Sequence, residues 1–267
     1  MGRFHRHDDG SIHKHHTHHA HDGEHSHPNH DHGDHSGYET GRERISVLED
    51  IFHENDHCAE ENRAALDRYG VHCINVMSSP GAGKTELLVQ TLKALSGEFR
   101  VGVVEGDIET SMDADRLNGL GAQVSLLNTG NGFGGECHLD APMVHRALKN
   151  LDLSQLDLLL VENVGNLVCP AEFEVGEHRK AMVYSLTEGE DKPLKYPVMF
   201  RSVGVVVINK MDLLPHLDVD VELFRKNLRQ VNPDCEVIEL SAKTGEGIEE
   251  WLRWVKAGIP MPLAPKD

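Results

Sequence analysis

The stretch from Ser78 to Thr85, which reads SSPGAGKT, constrains the fold of this chain more than any other segment. It follows the apolar run 74–77 and precedes the apolar run 87–89, an order that predicts a strand, a tight loop and a helix. A loop of this kind directs backbone N–H groups at the phosphates of a nucleotide, and the adjacent helix N-terminus favours negative charge. The sequence therefore predicts a phosphate-binding loop at one edge of a sheet.

The side chains of this loop have separate expected roles. Lys84 adds a positive charge toward the β- and γ-phosphates, and the Thr85 hydroxyl can ligate Mg²⁺. Gly81 and Gly83 allow close backbone approach that a side chain would forbid. Ser78 departs from the pattern G-x-x-x-x-G-K-[ST], which has glycine at that position. The predicted phosphate-binding residues are Gly81, Ala82, Gly83, Lys84, Thr85 and Glu86.

A second motif indicates which base is bound. The strand candidate 203–208 ends in Asn-Lys-Met-Asp, which resembles the guanine-specificity motif of GTPases. In that motif Asp212 would accept hydrogen bonds from the guanine N1–H and N2 amino groups, and adenine offers no matching pair of donors. Lys210 would pack over the base and Asn209 would brace the loop. A later run resembles the last GTPase motif. It consists of Ser241, Ala242 and Lys243, which would close over the base.

Composition limits the partners and the compartment. The 267 residues carry a formal charge of −18, which argues against binding nucleic acid or anionic membrane through a basic face. No apolar run approaches the length of a membrane span, and the N-terminus has no apolar segment typical of a secretory signal. Five scattered cysteines form no disulfide framework. We therefore expect a cytoplasmic protein that binds neither nucleic acid nor membrane.

The chain divides into three regions by composition. Residues 1–37 hold 13 of the 20 histidines and almost no apolar residues, so this tail is predicted to be disordered. Residues 38–70 are predicted to form a helical connector, and the Asn55–Asp56 pair leaves open a division into two helices. A nucleotide-binding domain is expected over 71–260.

Strand and helix patterns alternate within the third region. This alternation predicts an α/β domain with a mostly parallel sheet flanked by helices, and nucleotide would bind at the carboxyl ends of the strands. The predicted strands are 74–77, 101–105, 124–128, 156–162, 203–208 and 237–240. The predicted helices are 85–95, 113–119, 141–150, 218–230 and 247–256.

The histidine-rich tail suggests metal binding. Neutral imidazole suits Ni²⁺, Cu²⁺ and Zn²⁺, and a flexible tract can surround one or several ions. A solvated polar tail and a cloning tag remain alternatives, although no run of histidines exceeds two. No single histidine in the tail can be assigned as a ligand.

A pair of potential metal ligands occurs outside the tail. Cys137 and His138 follow a glycine-rich loop, but two ligands rarely make a selective site. Cys169 lies seven residues after Glu162, on a segment that follows a buried strand. In GTPases an acidic residue and a glycine at the end of this strand, here Glu162 and Gly165, monitor Mg²⁺ and the γ-phosphate. Cys169 would therefore lie on the mobile switch segment and could supply a third ligand.

These motifs together resemble the HypB family, hydrogenase nickel-incorporation GTPases of the SIMIBI class of P-loop proteins. The resemblance extends from about Ile45 to Pro260. Its most specific stretches are Cys-His-Leu-Asp at 137–140 and Glu-Asn-Val-Gly-Asn-Leu-x-Cys-Pro at 162–170. The N-terminal C-x-x-C-G-C nickel site of some members is absent, and Cys58 and Cys73 do not rebuild it.

The resemblance implies a set of functional roles. GTP would promote pairing of two G domains, with a Ni²⁺ or Zn²⁺ site formed by Cys137, His138 and Cys169. Thr85 and Asp107 map to Mg²⁺ positions, and Glu162 maps to the switch acid near Mg²⁺ or the attacking water. The implied catalytic residues are Lys84, Asp107 and Glu162, and the implied reaction is slow hydrolysis of GTP to GDP. A HypA-like zinc metallochaperone and the hydrogenase large-subunit precursor are the implied partners, and the tail would store nickel.

Three other interpretations remain open at this stage. A urease-type nickel-insertion GTPase, UreG, would be expected to show Cys-Pro-His at its metal site, whereas this chain has Cys-His. A metal store with a weakly active G domain would explain the tail. A P-loop kinase or ligase would need an acceptor pocket that the sequence does not show.

Overall fold

The computed structural model describes residues 40–107, 117, 119–128 and 137–260, together with two short strands, His5–Arg6 and Ile12–His13, that pair antiparallel. Side chains at 40–49, at Asp107 and at Asn128 are not described. The chain divides into two units, Met1–Arg44 and Ile45–Asp267. Apart from the two short strands, the predicted disordered tail lies outside the described residues, and so does most of the predicted helix 113–119.

The second unit is built on a seven-stranded sheet in which every neighbouring pair is parallel. The strands are β1 His72–Ser78, β2 Val101–Asp107, β3 Gln123–Asn128, β4 Leu158–Glu162, β5 Arg179–Ser185, β6 Val205–Asn209 and β7 Glu236–Glu239. Their order in the sheet is β3-β2-β4-β1-β5-β6-β7. This arrangement confirms the predicted α/β class with a parallel sheet.

Helices cover both faces of this sheet. Those described are α1 Thr40–Tyr69, α2 Lys84–Leu95, α3 Ala141–Leu148, α4 Cys169–Glu172, α5 Lys192–Lys195, α6 Pro197–Ser202, α7 Val221–Val231 and α8 Ile248–Lys256. Three 3₁₀ turns are Leu153–Gln155, Leu186–Glu188 and Met211–His216. The predicted helices after the phosphate loop and at 141–150, 218–230 and 247–256 correspond to α2, α3, α7 and α8. None of the described helices is both long and apolar enough to cross a bilayer.

Alternating side chains of the central strands explain the two-sided packing. Ile74 in β1 belongs to a buried cluster with Leu87 of α2 and Trp251 of α8. Its neighbour Cys73 belongs to a different cluster, which includes Leu66 of α1. Since successive side chains of a strand point to opposite faces, both faces of β1 are apolar and both are covered.

The sequence pattern predicts no strand between 162 and 203, but strand β5 lies there. It lies between β1 and β6 and is therefore central. Its first two residues, Arg179 and Lys180, are cationic, which hid the apolar run that follows. The structure accommodates them because the Arg179 guanidinium stacks on Trp254, 3.5 Å from the ring centroid, and Lys180 forms an ion pair with Glu177.

Helix α1 is continuous, so a division at Asn55–Asp56 is wrong. Asn55 would interrupt a helix if its side chain competed for the local backbone. Here its amide donates to the Glu174 carbonyl oxygen at 3.0 Å and accepts from the Ala141 N–H at 2.9 Å. The side chain is therefore engaged with other elements and leaves the helical hydrogen bonds intact.

The loops that carry the predicted motifs meet at one edge of the sheet. The phosphate loop follows β1, the segment 163–168 follows β4, and the Asn-Lys-Met-Asp motif spans the end of β6 and the turn after it. In parallel sheets the carboxyl ends of the strands form the usual ligand-binding edge. The topology therefore brings these motifs together, as predicted.

Candidate nucleotide and metal site

The phosphate loop has the backbone geometry that its glycines predict. Gly81 and Gly83 have φ angles of 72° and 97°, and Gly83 forms the N-cap of α2. A Cβ on Gly83 would lie 2.5 Å from the Asn209 amide nitrogen, so no other residue fits there without a shift. Lys84 is buried, and its ammonium donates to the Ser78 hydroxyl at 2.7 Å. The serine that departs from the glycine-first pattern thus gives the lysine a hydrogen-bond acceptor.

Asn209 joins the phosphate loop to the two segments that are predicted to recognise the base. Its amide donates to the Ala82 carbonyl oxygen at 2.9 Å. Its oxygen accepts from the Lys210 N–H at 2.8 Å and from the Ala242 N–H at 2.9 Å. The Lys210 ammonium also donates to the Gly81 carbonyl oxygen at 2.7 Å. These bonds give Asn209 the bracing position that the motif implies.

The carboxylate of Asp212, which is predicted to recognise the base, is also oriented by a neighbouring side chain. The Ser241 hydroxyl, which is fully buried, donates to Asp212 at 2.7 Å. Lys243 is exposed two residues further on, and Asp212 is half-buried. The structure therefore brings all the predicted base-recognition residues into two adjacent loops.

The predicted Mg²⁺ ligands Thr85 and Glu162 are in direct contact. The Thr85 hydroxyl donates to a Glu162 carboxylate oxygen at 2.8 Å, and Glu162 is 5% exposed. Asp107 ends β2, but its side chain is not among those described. Hydroxyl and carboxylate oxygens are the donors that Mg²⁺ prefers, so Thr85 and Glu162 fit this ion.

Glu105 is an acidic residue that the sequence analysis did not assign to the site. It is buried in β2 and is the register partner of Glu162 in β4. Register partners on adjacent strands point to the same face of the sheet, so the two carboxyl groups share one side of it. Two acidic groups in one buried region favour a nearby cation.

The three predicted transition-metal ligands lie together. Ligand atoms of Cys137, His138 and Cys169 are all within 4.8 Å of one another. The Cys137 thiol donates to the Cys169 sulfur at 3.1 Å, and the His138 Nδ1 atom lies 3.8 Å from the Cys137 sulfur. Both cysteines are free thiols. Two sulfur donors and one imidazole match the preferences of Zn²⁺ and of other borderline-soft divalent ions.

The hydrogen bond that the two thiols share raises the pKa of the Cys169 thiol, and partial burial and the proximity of the Cys137 sulfur raise it further. The Cys169 sulfur is therefore favoured in its protonated form. A bound metal requires thiolates, so ion binding and proton release are coupled at this cluster.

Two asparagines that the sequence analysis did not single out hold the cluster in place. Asn163 is buried, and its oxygen accepts from the N–H groups of Leu139 at 2.9 Å and Val164 at 3.0 Å. The Asn166 amide donates to the Cys137 carbonyl oxygen at 3.2 Å, and its oxygen accepts from the Val168 N–H at 2.9 Å. Both residues link the segment after β4 to the segment before α3.

The same segment also touches the phosphate loop. A Cβ on Gly165 would lie 2.9 Å from the Cα of Pro80, so the two backbones approach closely. On the other side of the cluster, the His138 ring packs on Phe173 with their centroids 4.3 Å apart. The segment 163–168 therefore runs in continuous contact from the phosphate loop to the thiols.

Similarity to known proteins agrees with this geometry. A model of the CobW/HypB/UreG nucleotide-binding domain matches residues 72–239. The hydrogenase maturation factor HypB of Azotobacter vinelandii is 49% identical over 212 residues, which cover 79% of this chain and 69% of that protein. HypB of Escherichia coli K12 is 46% identical over 215 residues, covering 80% and 73%.

Two solved structures resemble this one at the level of the fold and the sequence. HypB from Archaeoglobus fulgidus has a TM-score of 0.70 and 39% identity, covering 76% of this chain and 98% of its own. HypB from Helicobacter pylori, solved in complex with nickel, has a TM-score of 0.71 and 32% identity, covering 79% and 99%. By the matched domain and these relatives, the chain belongs to the CobW/HypB/UreG nucleotide-binding family and, within it, to the HypB proteins.

Proposed function

We propose that this protein is a GTP-hydrolysing nickel metallochaperone of [NiFe]-hydrogenase maturation, in which the bound nucleotide controls the Cys137-His138-Cys169 cluster. The observation that carries this proposal is the segment 163–168, which begins directly after Glu162 and ends directly before Cys169. It contacts the phosphate loop through Gly165 and the backbone of Cys137 through Asn166. A displacement of this segment at the phosphate loop would therefore also move it at the Cys137-His138-Cys169 cluster.

The nucleotide end of this segment would bind GTP. Gly81, Gly83 and Lys84 would hold the phosphates, and Asp212 would select guanine over adenine by accepting from its N1–H and amino groups. A Mg²⁺ ion held by Thr85, Glu162 and Asp107 would neutralise phosphate charge. The sequence offers no evident arginine finger, so hydrolysis would be slow without a partner.

The metal end suits nickel as cargo. The relative from Helicobacter pylori was solved with nickel, and the donors here fit Ni²⁺ as well as Zn²⁺. Cys137 is exposed, so a second copy of the chain could approach it. GTP-dependent pairing of two copies would bring two such clusters together, and nucleotide hydrolysis would release the segment 163–168 and lower the affinity for metal.

The remaining parts of the proposal concern supply and delivery. The histidine-rich tail would store nickel, and a HypA-like zinc protein or the hydrogenase large-subunit precursor would receive it in the cytoplasm. The same tail favours a second candidate, a metal store whose G domain is only weakly active.

Nickel titration of the protein loaded with GDP or with a non-hydrolysable GTP analogue tests the coupling. We expect wild-type affinity to differ between the two states by about 5–150-fold, the usual range of coupling between sites. In Cys137→Ala/Cys169→Ala the difference should vanish, while Cys235→Ala, which removes a partly buried thiol outside the cluster, should keep it. The proposal would be refuted if wild type bound nickel with the same affinity in both nucleotide states. It would also be refuted if the double variant kept the difference in nickel affinity.

A further inference from the structure

A second group of metal-ligating side chains lies outside the cluster described above. It consists of Cys58 and Glu61 on α1 and His145 on α3, and one ligand atom of each lies within 4.8 Å of the others. We propose that these three residues form a separate site for a Zn²⁺-like divalent transition-metal ion that links α1 to α3.

The secondary structure explains how the three donors meet. Cys58 and Glu61 are three residues apart on one helix, so they lie on the same face one turn apart. His145 lies in the helix that begins directly after the Cys-His-Leu-Asp segment. An ion here would therefore connect the N-terminal helix to the helix that follows the predicted nickel ligands.

The two helices are already fixed to each other without an ion. Asn55 of α1 accepts from the Ala141 N–H at 2.9 Å, and Asn62 of α1 donates to the Ala141 carbonyl oxygen at 2.9 Å. Both asparagines are buried, with exposed fractions of 2% and 0%. The ligands do not have to be gathered when an ion binds, which lowers the ordering cost of binding.

Asn62 also sets the orientation of the histidine. Its amide nitrogen donates to two carbonyl oxygens, those of Ala141 at 2.9 Å and Val175 at 3.1 Å, which fixes which end of the side chain is oxygen. That oxygen lies 2.9 Å from the His145 Nδ1 atom. Because the oxygen only accepts, Nδ1 must carry the hydrogen, and the neutral ring keeps its lone pair on Nε2. Metal-binding histidines are oriented in this way by outer-shell partners.

The charges around Cys58 favour a cation. Burial raises the pKa of the Cys58 thiol, and the carboxylates of Glu61, Asp140 and Glu54 raise it further against the opposing effect of Lys149. A divalent ion would reverse this effect by stabilising the thiolate, and one proton would leave Cys58 for solvent per ion bound. Sulfur, imidazole and carboxylate together with one water give the four-coordinate set that Zn²⁺ adopts when one position is open.

Co²⁺ can report on this site in the full-length protein, because thiolate-to-cobalt charge transfer gives a near-ultraviolet absorption that imidazole and carboxylate ligands do not give. The tail 1–37 contains no cysteine, so its histidines cannot produce the signal. The background is Cys137→Ser/Cys169→Ser, which removes the thiols of the other cluster. In this background we expect about one thiolate-bound Co²⁺ per chain, displaced by Zn²⁺.

Single substitutions added to that background assign the ligands. Cys58→Ser should abolish the absorption, and Glu61→Gln and His145→Ala should each weaken Co²⁺ binding by about tenfold or more. Glu61 is exposed, so its substitution leaves packing unchanged. The matched controls Cys235→Ser, Glu60→Gln and His53→Ala should have no effect. An absent absorption in the background variant, or one that survives Cys58→Ser, would overturn the proposal.

Discussion

His72 shows how one residue can make the stability of this domain depend on pH. Its side chain is buried, and its Nε2 atom has no hydrogen-bond partner within the described part of the chain. The ring packs on His178 with their centroids 4.9 Å apart. Burial lowers the pKa of His72 to about 4, and the charges of His178, Arg179 and Arg63 contribute to the decrease. The folded protein therefore keeps this ring neutral.

The sign of the resulting pH dependence follows from proton binding. An unfolded histidine has a pKa of about 6.5, so between pH 6.5 and pH 4 the unfolded chain binds more protons at this residue than the folded chain. The contribution of His72 to the unfolding free energy is therefore complete above about pH 6.5 and declines as the pH falls to about 4. Thermal unfolding measured from pH 7 to pH 4.5 should show a shallower decline for His72→Gln than for wild type. Equal slopes would exclude the effect, and the exposed control His53→Gln should retain the wild-type slope.

At the scale of elements, Asn163 couples the end of β4 to the segment that carries Cys137 and His138. Replacing it with alanine leaves the buried N–H groups of Leu139 and Val164 without their acceptor. Each unsatisfied buried donor costs about 1–3 kcal/mol, so Asn163→Ala should lower the midpoint of denaturant unfolding. It should also weaken nickel binding at the thiol cluster, because the segment loses its anchor.

A second substitution separates those two effects. Asn166 is only partly buried, and its amide holds the Cys137 carbonyl oxygen. Asn166→Ala should weaken nickel binding with little loss of stability, whereas Asn150→Ala, an exposed substitution in the turn after α3, should change neither. Unaltered nickel affinity in both Asn163→Ala and Asn166→Ala would show that these bonds do not position the ligands.

The elements also show what a sequence can and cannot reveal. The loop between β1 and α2 was predictable because its backbone conformation demands particular residues at fixed spacing. Strand β5 was not predictable, because its two cationic residues are stabilised by contacts that no sequence pattern indicates. Arg179 packs on Trp254, which is distant in sequence, and Lys180 pairs with Glu177, which belongs to no recognisable motif. The role of Asn163 was not predictable for a similar reason, since the hydrogen-bond partners of a buried amide can be identified only in the folded structure. The proximity of Cys137 to Cys169 was expected from family resemblance, and the fold supplies the reason for it.

At the scale of the whole molecule, the tail and the G domain are expected to contribute separately to function. The unit Ile45–Asp267 is compact by itself, so removal of residues 1–37 should leave nucleotide binding unchanged. It should lower the number of nickel ions bound per chain, because 13 of the 20 histidines are lost. If the tail only stores metal, its loss should impair hydrogenase activation when nickel is scarce and have little effect when nickel is abundant.

Lys84→Ala is the complementary change to the same molecule. This substitution removes the buried ammonium of the phosphate loop. It should abolish hydrogenase activation at any nickel supply, while the number of nickel ions bound per chain stays unchanged. Lys93→Ala, an exposed substitution on the same helix, is the control. Activation at wild-type levels by Lys84→Ala would instead favour the metal store with a weakly active G domain. If nucleotide and nickel are coupled as proposed, each must change the affinity for the other by the same factor, and a chain that cannot bind GTP would have no means of timing metal release.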